Sequence, residues 1–212
     1  AQHNSIGNEI KREIDNVFKN SAFILRKNVS RFEQKICKIL GVKYCVSVNS
    51  GTDALLFALS QVGLKKGDEV ITPSHTYVAR VLAIDYVGAV PIFVDIGDDF
   101  NIDSNLIEKK ITKKTKAIMV VHLNGRCCDM NPIIKIAKKY KLKIIEDAAQ
   151  GFGSKYNGKY VGNFGYAAAF SLHPMKNLSV PGDGGFLITN NKRVFEKVLL
   201  LRDHGRIKIG NK

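Results

Sequence analysis

The regular alternation of short apolar runs with helical segments is the feature that most limits how this chain can fold. Between residues 41 and 190 the apolar runs are four to six residues long, which suits buried strands and is short for helices. Strands are predicted at 44–48, 69–72, 90–94, 117–121, 142–145, 166–171 and 185–189. Because helices separate most of them, the pattern predicts an α/β layered domain with a mostly parallel seven-stranded sheet.

Helical periodicity fills most of the intervals and the beginning of the chain. Helices are predicted at 6–20, 28–40, 54–62, 77–87, 104–110, 132–140 and 191–203. Gly41, directly after the second helix, is a common C-terminal signal, and Pro132 suits a first helical turn. We expect a helical N-terminal segment over residues 1–40 and the main domain over residues 41–212.

The charge of the chain limits its partners only loosely. There are 33 Lys and Arg against 19 Asp and Glu, a formal net charge of +14. Such a balance favours an anionic partner: nucleic acid, a membrane surface or a phosphorylated small molecule. The excess is mostly lysine in solvated runs such as Lys113-Lys114 and Lys138-Lys139, which compositional bias explains. We therefore expect no nucleic acid and no membrane partner, and among ligands we favour a phosphorylated molecule.

Cysteine spacing and the beginning of the chain indicate the compartment. The four cysteines, Cys37, Cys45, Cys127 and Cys128, have no spacing suited to zinc, and a chain of 212 residues does not need disulfides. The first residues lack the apolar core of a secretory signal, and no apolar run reaches the roughly 18 residues of a membrane span. We expect a cytoplasmic protein without a metal site.

Ligands of parallel sheets bind at the carboxyl ends of the strands, so the residues after each strand are informative. After the first strand, Gly51 and Thr52 open a helix in the segment NSGTD, where free backbone N–H groups and the helix dipole favour a phosphate. Helix capping by Ser, Thr or Asp explains the same residues equally well.

Three further strand ends carry candidate ligand-binding side chains. Tyr77, after the second strand, could stack on a planar ring or lie half-buried at a helix start. Asp147, at the end of the fifth strand, could keep a pyridinium nitrogen protonated or cap the next turn. Lys176 follows the sixth strand between Pro and Gly-rich turns, where it is either a surface lysine or a nucleophile. Together and in this order, these features are the parts of a pyridoxal phosphate site.

The same segments resemble the DegT/DnrJ/StrS family of nucleotide-sugar aminotransferases, which are fold type I pyridoxal-phosphate enzymes. The matching segments, in chain order, are NSGTDALLFAL, GDEVITPSHTYVA, GAVPIFVDI, FNIDSNLIEKKIT, KTKAIMVVHLNG, IIEDAAQGFGSKYNGKYVGNFG, AFSLHPMKNL and GDGGFLITN. The resemblance implies a three-layer α/β/α large domain that binds pyridoxal 5'-phosphate. Family members continue well beyond the position of Lys212, so we expect the small C-terminal domain to be absent from this chain.

The resemblance also implies roles for individual residues. Lys176 matches the Schiff-base lysine, which also moves the proton, and Asp147 matches the carboxylate that pairs with the pyridine nitrogen. Gln150 matches the position that touches the phenolate oxygen of the ring, and Tyr77 matches the stacked aromatic. The positions that match the phosphate binders are Gly51, Thr52 and Ser171.

Substrate-side positions are less well defined by the resemblance. His75 and His173 flank the expected site, either as supporting or substrate-side residues or as direct catalysts, and Asn124 stands where many relatives have tyrosine. The family transfers an amino group from an amino acid, usually L-glutamate, to a nucleotide-linked keto-deoxysugar for amino-sugar and polysaccharide biosynthesis. The segment PSHTYVA favours a 3-keto, 6-deoxy sugar over a 4-keto sugar.

The resemblance further implies a homodimer with shared active sites. Two other functions stay open at this point. One is a truncated or regulatory relative that binds the cofactor without turnover, which the expected absence of the small C-terminal domain after Lys212 favours. The other is a basic nucleic-acid-binding protein, which only the net charge favours.

Overall fold

The computed structural model describes residues 2–206, and the side chains from residue 5 onwards. Seven α-helices lie in this part of the chain: α1 (Gln2–Lys19), α2 (Lys27–Leu40), α3 (Gly51–Ser60), α4 (Val78–Tyr86), α5 (Ser104–Ile107), α6 (Met130–Tyr140) and α7 (Lys192–Arg202). Short 3₁₀ turns follow at Glu108–Lys110 and Leu123–Gly125. The predicted helices are confirmed, with shifts at their ends.

Seven strands form the main sheet: β1 (Tyr44–Val48), β2 (Glu69–Pro73), β3 (Val90–Val94), β4 (Thr115–Val121), β5 (Lys143–Asp147), β8 (Ala167–Ser171) and β9 (Gly185–Thr189). Their order across the sheet is β1-β9-β8-β5-β4-β2-β3. Only β9 runs antiparallel to its neighbours among these strands, so the mostly parallel seven-stranded sheet is confirmed.

A two-stranded hairpin was not predicted. It pairs β6 (Lys155–Tyr156) with β7 (Lys159–Tyr160) outside the main sheet. The turn between them is Asn157-Gly158, and both residues have positive φ, 48° and 78°. Asn-Gly is the preferred sequence for this two-residue turn, so the signal was present in the sequence, although the strands are too short to show alternation.

Both faces of the sheet are covered, which gives the three layers that the resemblance implies. On one face α3, α4 and α7 pack against alternate strand residues, among them Val46, Met119 and Leu187. On the other face, α2 covers the half of the sheet around β1, β8 and β9, and α5 and α6 cover the half around β4 and β2. Strands buried on both faces read as continuous apolar runs, and this is the pattern from which the sheet was predicted.

Two element boundaries differ from the prediction in ways that matter for the site. Helix α3 begins at Gly51 instead of Ala54, because the Ser50 side chain accepts a hydrogen bond from the Asp53 backbone N–H and caps the helix. Strand β5 extends through Asp147 instead of ending at Ile145. Both shifts bring predicted site residues onto regular elements. None of the helices in residues 2–206 is long and apolar enough to cross a membrane.

Candidate functional site

The predicted site residues gather at the carboxyl edge of the sheet. In the strand register, Ser171 of β8 lies opposite Gly185 of β9, and Gly185 lies opposite Val48 of β1. Asp147 of β5 is aligned with Ala169, two residues before Ser171. Because β1, β8 and β5 run in the same direction, the segments that follow them emerge on one side.

The beginning of α3 is pressed against this edge at two glycines. A Cβ at Gly51 would lie 2.8 Å from Ser171 Cβ, and a Cβ at Gly185 would lie 2.3 Å from the Ser50 carbonyl oxygen. Real Cβ atoms do not approach other atoms this closely, so both positions require glycine. The missing side chains allow the helix N-terminus to contact the ends of β8 and β9.

The first turn of α3 presents backbone donors at this contact. An α-helix leaves its first N–H groups without intrahelical acceptors. Ser50 Oγ satisfies the N–H of Asp53, at 3.0 Å. Within residues 2–206, the N–H groups of Gly51 and Thr52 have no acceptor, and the helix dipole adds partial positive charge there. The arrangement is suited to an anionic group such as a phosphate.

Asp147 is a buried carboxylate with two protein donors. Its side chain is 1 % exposed, Oδ1 accepts a hydrogen bond from the Ala149 backbone N–H at 2.9 Å, and Oδ2 accepts one from Arg80 Nε. The Arg80 side chain is 6 % exposed. A buried charge is stable only when it is paired and hydrogen-bonded, and the two side chains meet that condition together.

Arg80 was not among the predicted site residues. It lies in the first turn of α4, on the buried face that it shares with Ala83 and Ile84. Two signals for it were in the sequence. A cation at a helix N-terminus is disfavoured by the helix dipole, and a lone arginine at helical spacing from apolar residues faces the core. The second signal places Arg80 on the core side of α4, where a buried charge needs a partner such as a carboxylate.

Glu146, which precedes Asp147 in β5, pairs with His122, whose backbone N–H donates to the Asp147 carbonyl oxygen. Neither residue was among the predicted site residues. Both side chains are fully buried, with His122 Nε2 and Glu146 Oε2 3.1 Å apart. Since His122 Nδ1 accepts a hydrogen bond from the Cys128 backbone N–H, Nε2 is the ring nitrogen that donates to Glu146. The Glu146 carboxylate also accepts the backbone N–H groups of residues 162, 164 and 165, at 2.5–2.7 Å. The pair fixes the loop between β7 and β8.

Two other predicted residues, Gln150 and Asn124, are in direct contact. The Gln150 side-chain oxygen accepts a hydrogen bond from the Asn124 backbone N–H at 2.9 Å. Asn124 has a left-handed backbone, with φ 53°, a conformation that Asn tolerates better than most residues. The turn after β4 and the turn after β5 are therefore joined at the rim of the site.

Lys176 lies in a tight turn that begins at the end of β8. Its backbone N–H donates to the His173 carbonyl oxygen at 2.8 Å, and the His173 N–H donates to Ser171 Oγ at 3.3 Å. The His173 imidazole Nδ1 accepts the Met175 N–H within the same turn, at 3.3 Å. Lys176 is half-buried, whereas His173 is exposed. The turn ties Ser171, His173 and Lys176 into one unit.

Tyr77 and His75 lie on the loop after β2, and both are exposed. Tyr77 is the N-cap of α4, with its side chain 70 % exposed, and its carbonyl accepts the Arg80 N–H. The His75 ring lies 6.4 Å from that of Phe100, and in the described part of the chain it makes no hydrogen bond to another predicted site residue. Tyr77 is therefore joined to Arg80 through its backbone only, and in residues 2–206 neither the Tyr77 ring nor the His75 ring bonds to another predicted site residue.

The cysteines near the site are not poised to react. Burial and the nearby carboxylates of Glu146 and Asp129 raise the pKa of Cys127 to about 12. Burial also raises the pKa of Cys128, whose Sγ–H donates to the Val121 carbonyl oxygen. Thiols with raised pKa values are poor nucleophiles at neutral pH. No cluster of three or more potential metal-ligating side chains was found in the described residues.

Comparison with known proteins identifies the family. The family model described as the DegT/DnrJ/EryC1/StrS aminotransferase family matches residues 4–212. The chain belongs to the DegT/DnrJ/EryC1/StrS aminotransferase family.

Relatives in the family carry different names. The chain is 48 % identical over 198 residues to the dTDP-3-amino-3,6-dideoxy-alpha-D-galactopyranose transaminase of Aneurinibacillus thermoaerophilus, covering 93 % of this chain and 54 % of the relative. It is 45 % identical over 205 residues to the pleiotropic regulatory protein of Geobacillus stearothermophilus, covering 96 % of this chain and 55 % of the relative. The chain thus spans about half the length of these family members.

A solved structure supports the same fold. The crystal structure of S. venezuelae DesV in complex with a ketimine intermediate matches with a TM-score of 0.94 at 38 % identity. The match covers 99 % of this chain and 57 % of that structure. The fold type I architecture expected from the sequence is confirmed for this DegT/DnrJ/EryC1/StrS family member.

Proposed function

We propose that this protein is a pyridoxal-phosphate-dependent aminotransferase that delivers an amino group to a nucleotide-linked keto-deoxysugar. The observation that carries the proposal is the convergence of three groups at one sheet edge. These are the α3 N-terminus packed on Ser171, the buried Asp147 and the turn that holds Lys176. Family membership and the transaminase relative support the same reaction class.

The phosphate end of the cofactor fits the contact between α3 and β8. A side chain at Gly51 would fill the space beside Ser171, whereas glycine leaves the backbone donors open. Gly51 and Thr52 N–H and the Ser171 hydroxyl are the donors that a phosphate requires. The hydroxyl of Thr76, beside Tyr77, is buried without a hydrogen-bond partner in residues 2–206, which leaves a further polar atom for a bound group.

The pyridine end fits Asp147. A carboxylate has about four acceptor positions, and the two protein donors of Asp147 leave room for one more. When bound, the cofactor supplies an electron sink for the carbanion at the amino-bearing carbon. Asp147 would hold a proton on the ring nitrogen, Gln150 would contact the phenolate oxygen, and Tyr77 would stack on the ring. Lys176 Nζ anchors the cofactor and carries the proton to and from the reacting carbon.

The substrate assignment follows from the relatives and the rim residues. The A. thermoaerophilus relative is named for a dTDP-linked 3-amino-3,6-dideoxy sugar, which agrees with the 3-keto, 6-deoxy preference drawn from PSHTYVA. L-glutamate is the proposed amino donor. Asn124, His173 and His75 are the proposed substrate-side residues. We also propose that the protein is a homodimer with shared sites. Its proposed compartment is the reducing cytoplasm, because the cysteine spacing suggests neither disulfides nor a zinc site.

A second function, a regulatory protein that binds the cofactor without turnover, is favoured by one observation. The G. stearothermophilus relative carries a regulatory name and is 45 % identical. Both functions require the same cofactor site, so cofactor binding does not distinguish them. Net production of an amino sugar does.

The experiment is a two-substrate assay with the full-length protein. The protein, supplied with pyridoxal phosphate and L-glutamate, is offered nucleotide-linked 3-keto and 4-keto deoxysugars, and products are followed by mass spectrometry. We expect amino-sugar and 2-oxoglutarate in equal amounts, abolished in Lys176→Ala. Lys192→Ala, at an exposed lysine of α7, is the matched control and should leave the yield unchanged. Cofactor binding without any amino transfer would support the regulatory function.

A further inference from the structure

The ion pair between Arg80 and Asp147 places a permanent positive charge beside the carboxylate assigned to the cofactor nitrogen. Arg80 Nε donates to Asp147 Oδ2, and the two side chains are almost fully buried. An arginine in a protein stays protonated at all physiological pH values. In the described chain, Arg80 is the only ion-pair partner of Asp147.

Packing alone does not explain an arginine at this position. A buried ion pair gives little net stability, because removing two charges from water costs about as much as the pair returns. Among residues 2–206, only Nε of the Arg80 guanidinium has a hydrogen-bond partner. The pair therefore lacks the two parallel N–H···O bonds that make bidentate arginine–carboxylate pairs strong.

We propose that Arg80 is a positioning residue that shares the Asp147 carboxylate with the cofactor's pyridine nitrogen and weakens its hold on the proton. This inference rests on the proposed function. A carboxylate without a cation raises the proton affinity of a neighbouring ring nitrogen, because the protonated ring is positive. A guanidinium on the same carboxylate opposes that effect. Arg80 therefore sets how strongly electron-withdrawing the bound ring is.

The sign of the effect is fixed by charge. Arg80→Met removes a positive charge, leaves Asp147 free to act on the ring, and should raise the proton affinity of the nitrogen by about tenfold or more. Arg80→Lys keeps the charge and should stay close to wild type. In the cofactor-free protein, Arg80→Met strands a buried carboxylate and should lower the melting temperature. Bound cofactor should restore most of that loss by supplying a new cation.

The test is ¹⁵N NMR of ring-labelled pyridoxal phosphate bound to the full-length protein, titrated with pH. The variants are wild type, Arg80→Met and Arg80→Lys. The matched control is Arg202→Met, which removes a partly buried ion pair with Glu33 and, in the described residues, has no bond to Asp147. In the Arg80→Met protein we expect the cofactor's ring nitrogen to protonate at a higher pH than in wild type. In Arg80→Lys and Arg202→Met it should titrate as in wild type. Cofactor-induced rises in melting temperature should be largest in Arg80→Met.

The outcomes separate the inference from the function on which it rests. If wild type binds pyridoxal phosphate and the ¹⁵N titration of Arg80→Met is unchanged, the inference is wrong and the proposed function stands. An equal fall of the melting temperature with and without cofactor, together with an unchanged titration, would make Arg80 purely structural. If wild type does not bind pyridoxal phosphate at all, the proposed function fails and the inference with it.

Discussion

Gly51 and Ser171 are in backbone-to-side-chain contact so close that no other residue fits at position 51. A Cβ there would lie 2.8 Å from Ser171 Cβ and 3.1 Å from its Cα. The contact joins the beginning of α3 at Gly51 to the end of β8 at Ser171, two segments that are far apart in the chain. It creates the proposed phosphate site.

Gly51→Ala should weaken pyridoxal phosphate binding by about tenfold or more and destabilise the fold by about 1–3 kcal/mol, because overpacking at a backbone contact forces a shift. The change is informative because alanine is otherwise the better helix residue, by about 1 kcal/mol. Cofactor titration and denaturant unfolding measure the two effects. Gly97→Ala, where a Cβ meets its nearest atom at an ordinary 3.5 Å, is the control. Unchanged cofactor affinity in Gly51→Ala would remove α3 from the phosphate site.

Replacing Asp147 by Asn should leave the cofactor bound but slow proton removal from the amino donor by about 10²–10⁴-fold, because the ring nitrogen loses its negative partner. The measurement is the single-turnover rate with L-glutamate. Since Asp147→Asn also leaves Arg80 as a buried unpaired cation, we expect stability to fall by about 3–5 kcal/mol.

The double variant Asp147→Asn with Arg80→Met separates these two effects. It removes both charges, so stability should recover while the rate stays low. A recovered rate in the double variant would mean that Asp147 acts on stability alone.

Glu146→Gln should destabilise the protein by about 1–3 kcal/mol, because an amide nitrogen must face at least one of three buried backbone N–H groups. Denaturant unfolding gives the value. Glu108→Gln is the matched control, since the Glu108 carboxylate pairs with Lys139 at the exposed surface and should matter little. Equal effects of the two substitutions would contradict the assigned role of Glu146 in fixing the loop.

Protein stability should fall as the pH rises above 9.0, which is the ordinary pKa of a thiol such as that of Cys128. Burial raises the pKa of Cys128 in the folded protein, so the unfolded thiol ionises first and alkaline pH favours unfolding. The effect is at most about 1.4 kcal/mol per pH unit for one fully buried thiol. We expect Cys128→Ala to lose that part of the slope in unfolding measurements between pH 8 and 10, about the range where thiols titrate. The same slope in both proteins would show that Cys128 ionises equally in both states.

Much of the fold was accessible from sequence because strands such as β4 and β8 are buried along most of their length and read as apolar runs, AIMVV and AAAF. The segments after them could be assigned to one sheet edge by the parallel-sheet rule alone. The cap at Ser50 could also have been predicted, and it would have moved the start of α3 to Gly51.

The contacts that complete the site could not be obtained in this way. The insertion of antiparallel β9 between β1 and β8 is a matter of topology, and only that placement brings Gly185 against Ser50. The Arg80–Asp147 pair joins residues 67 apart, and no local pattern specifies which carboxylate a buried arginine will meet. Arg80 lies on a helix and Asp147 on a strand, so their pairing depends on how α4 packs against the sheet.

The most direct test of the proposed function is to find which lysine holds the cofactor. The full-length protein is loaded with one equivalent of pyridoxal phosphate, reduced with borohydride and digested, and the modified peptides are identified by mass spectrometry. We predict stoichiometric modification of Lys176, lost in Lys176→Ala, with the other lysines unmodified at this ratio. Prior addition of L-glutamate should prevent the modification by releasing the lysine. Modification spread over surface lysines, or none at Lys176, would contradict the proposal.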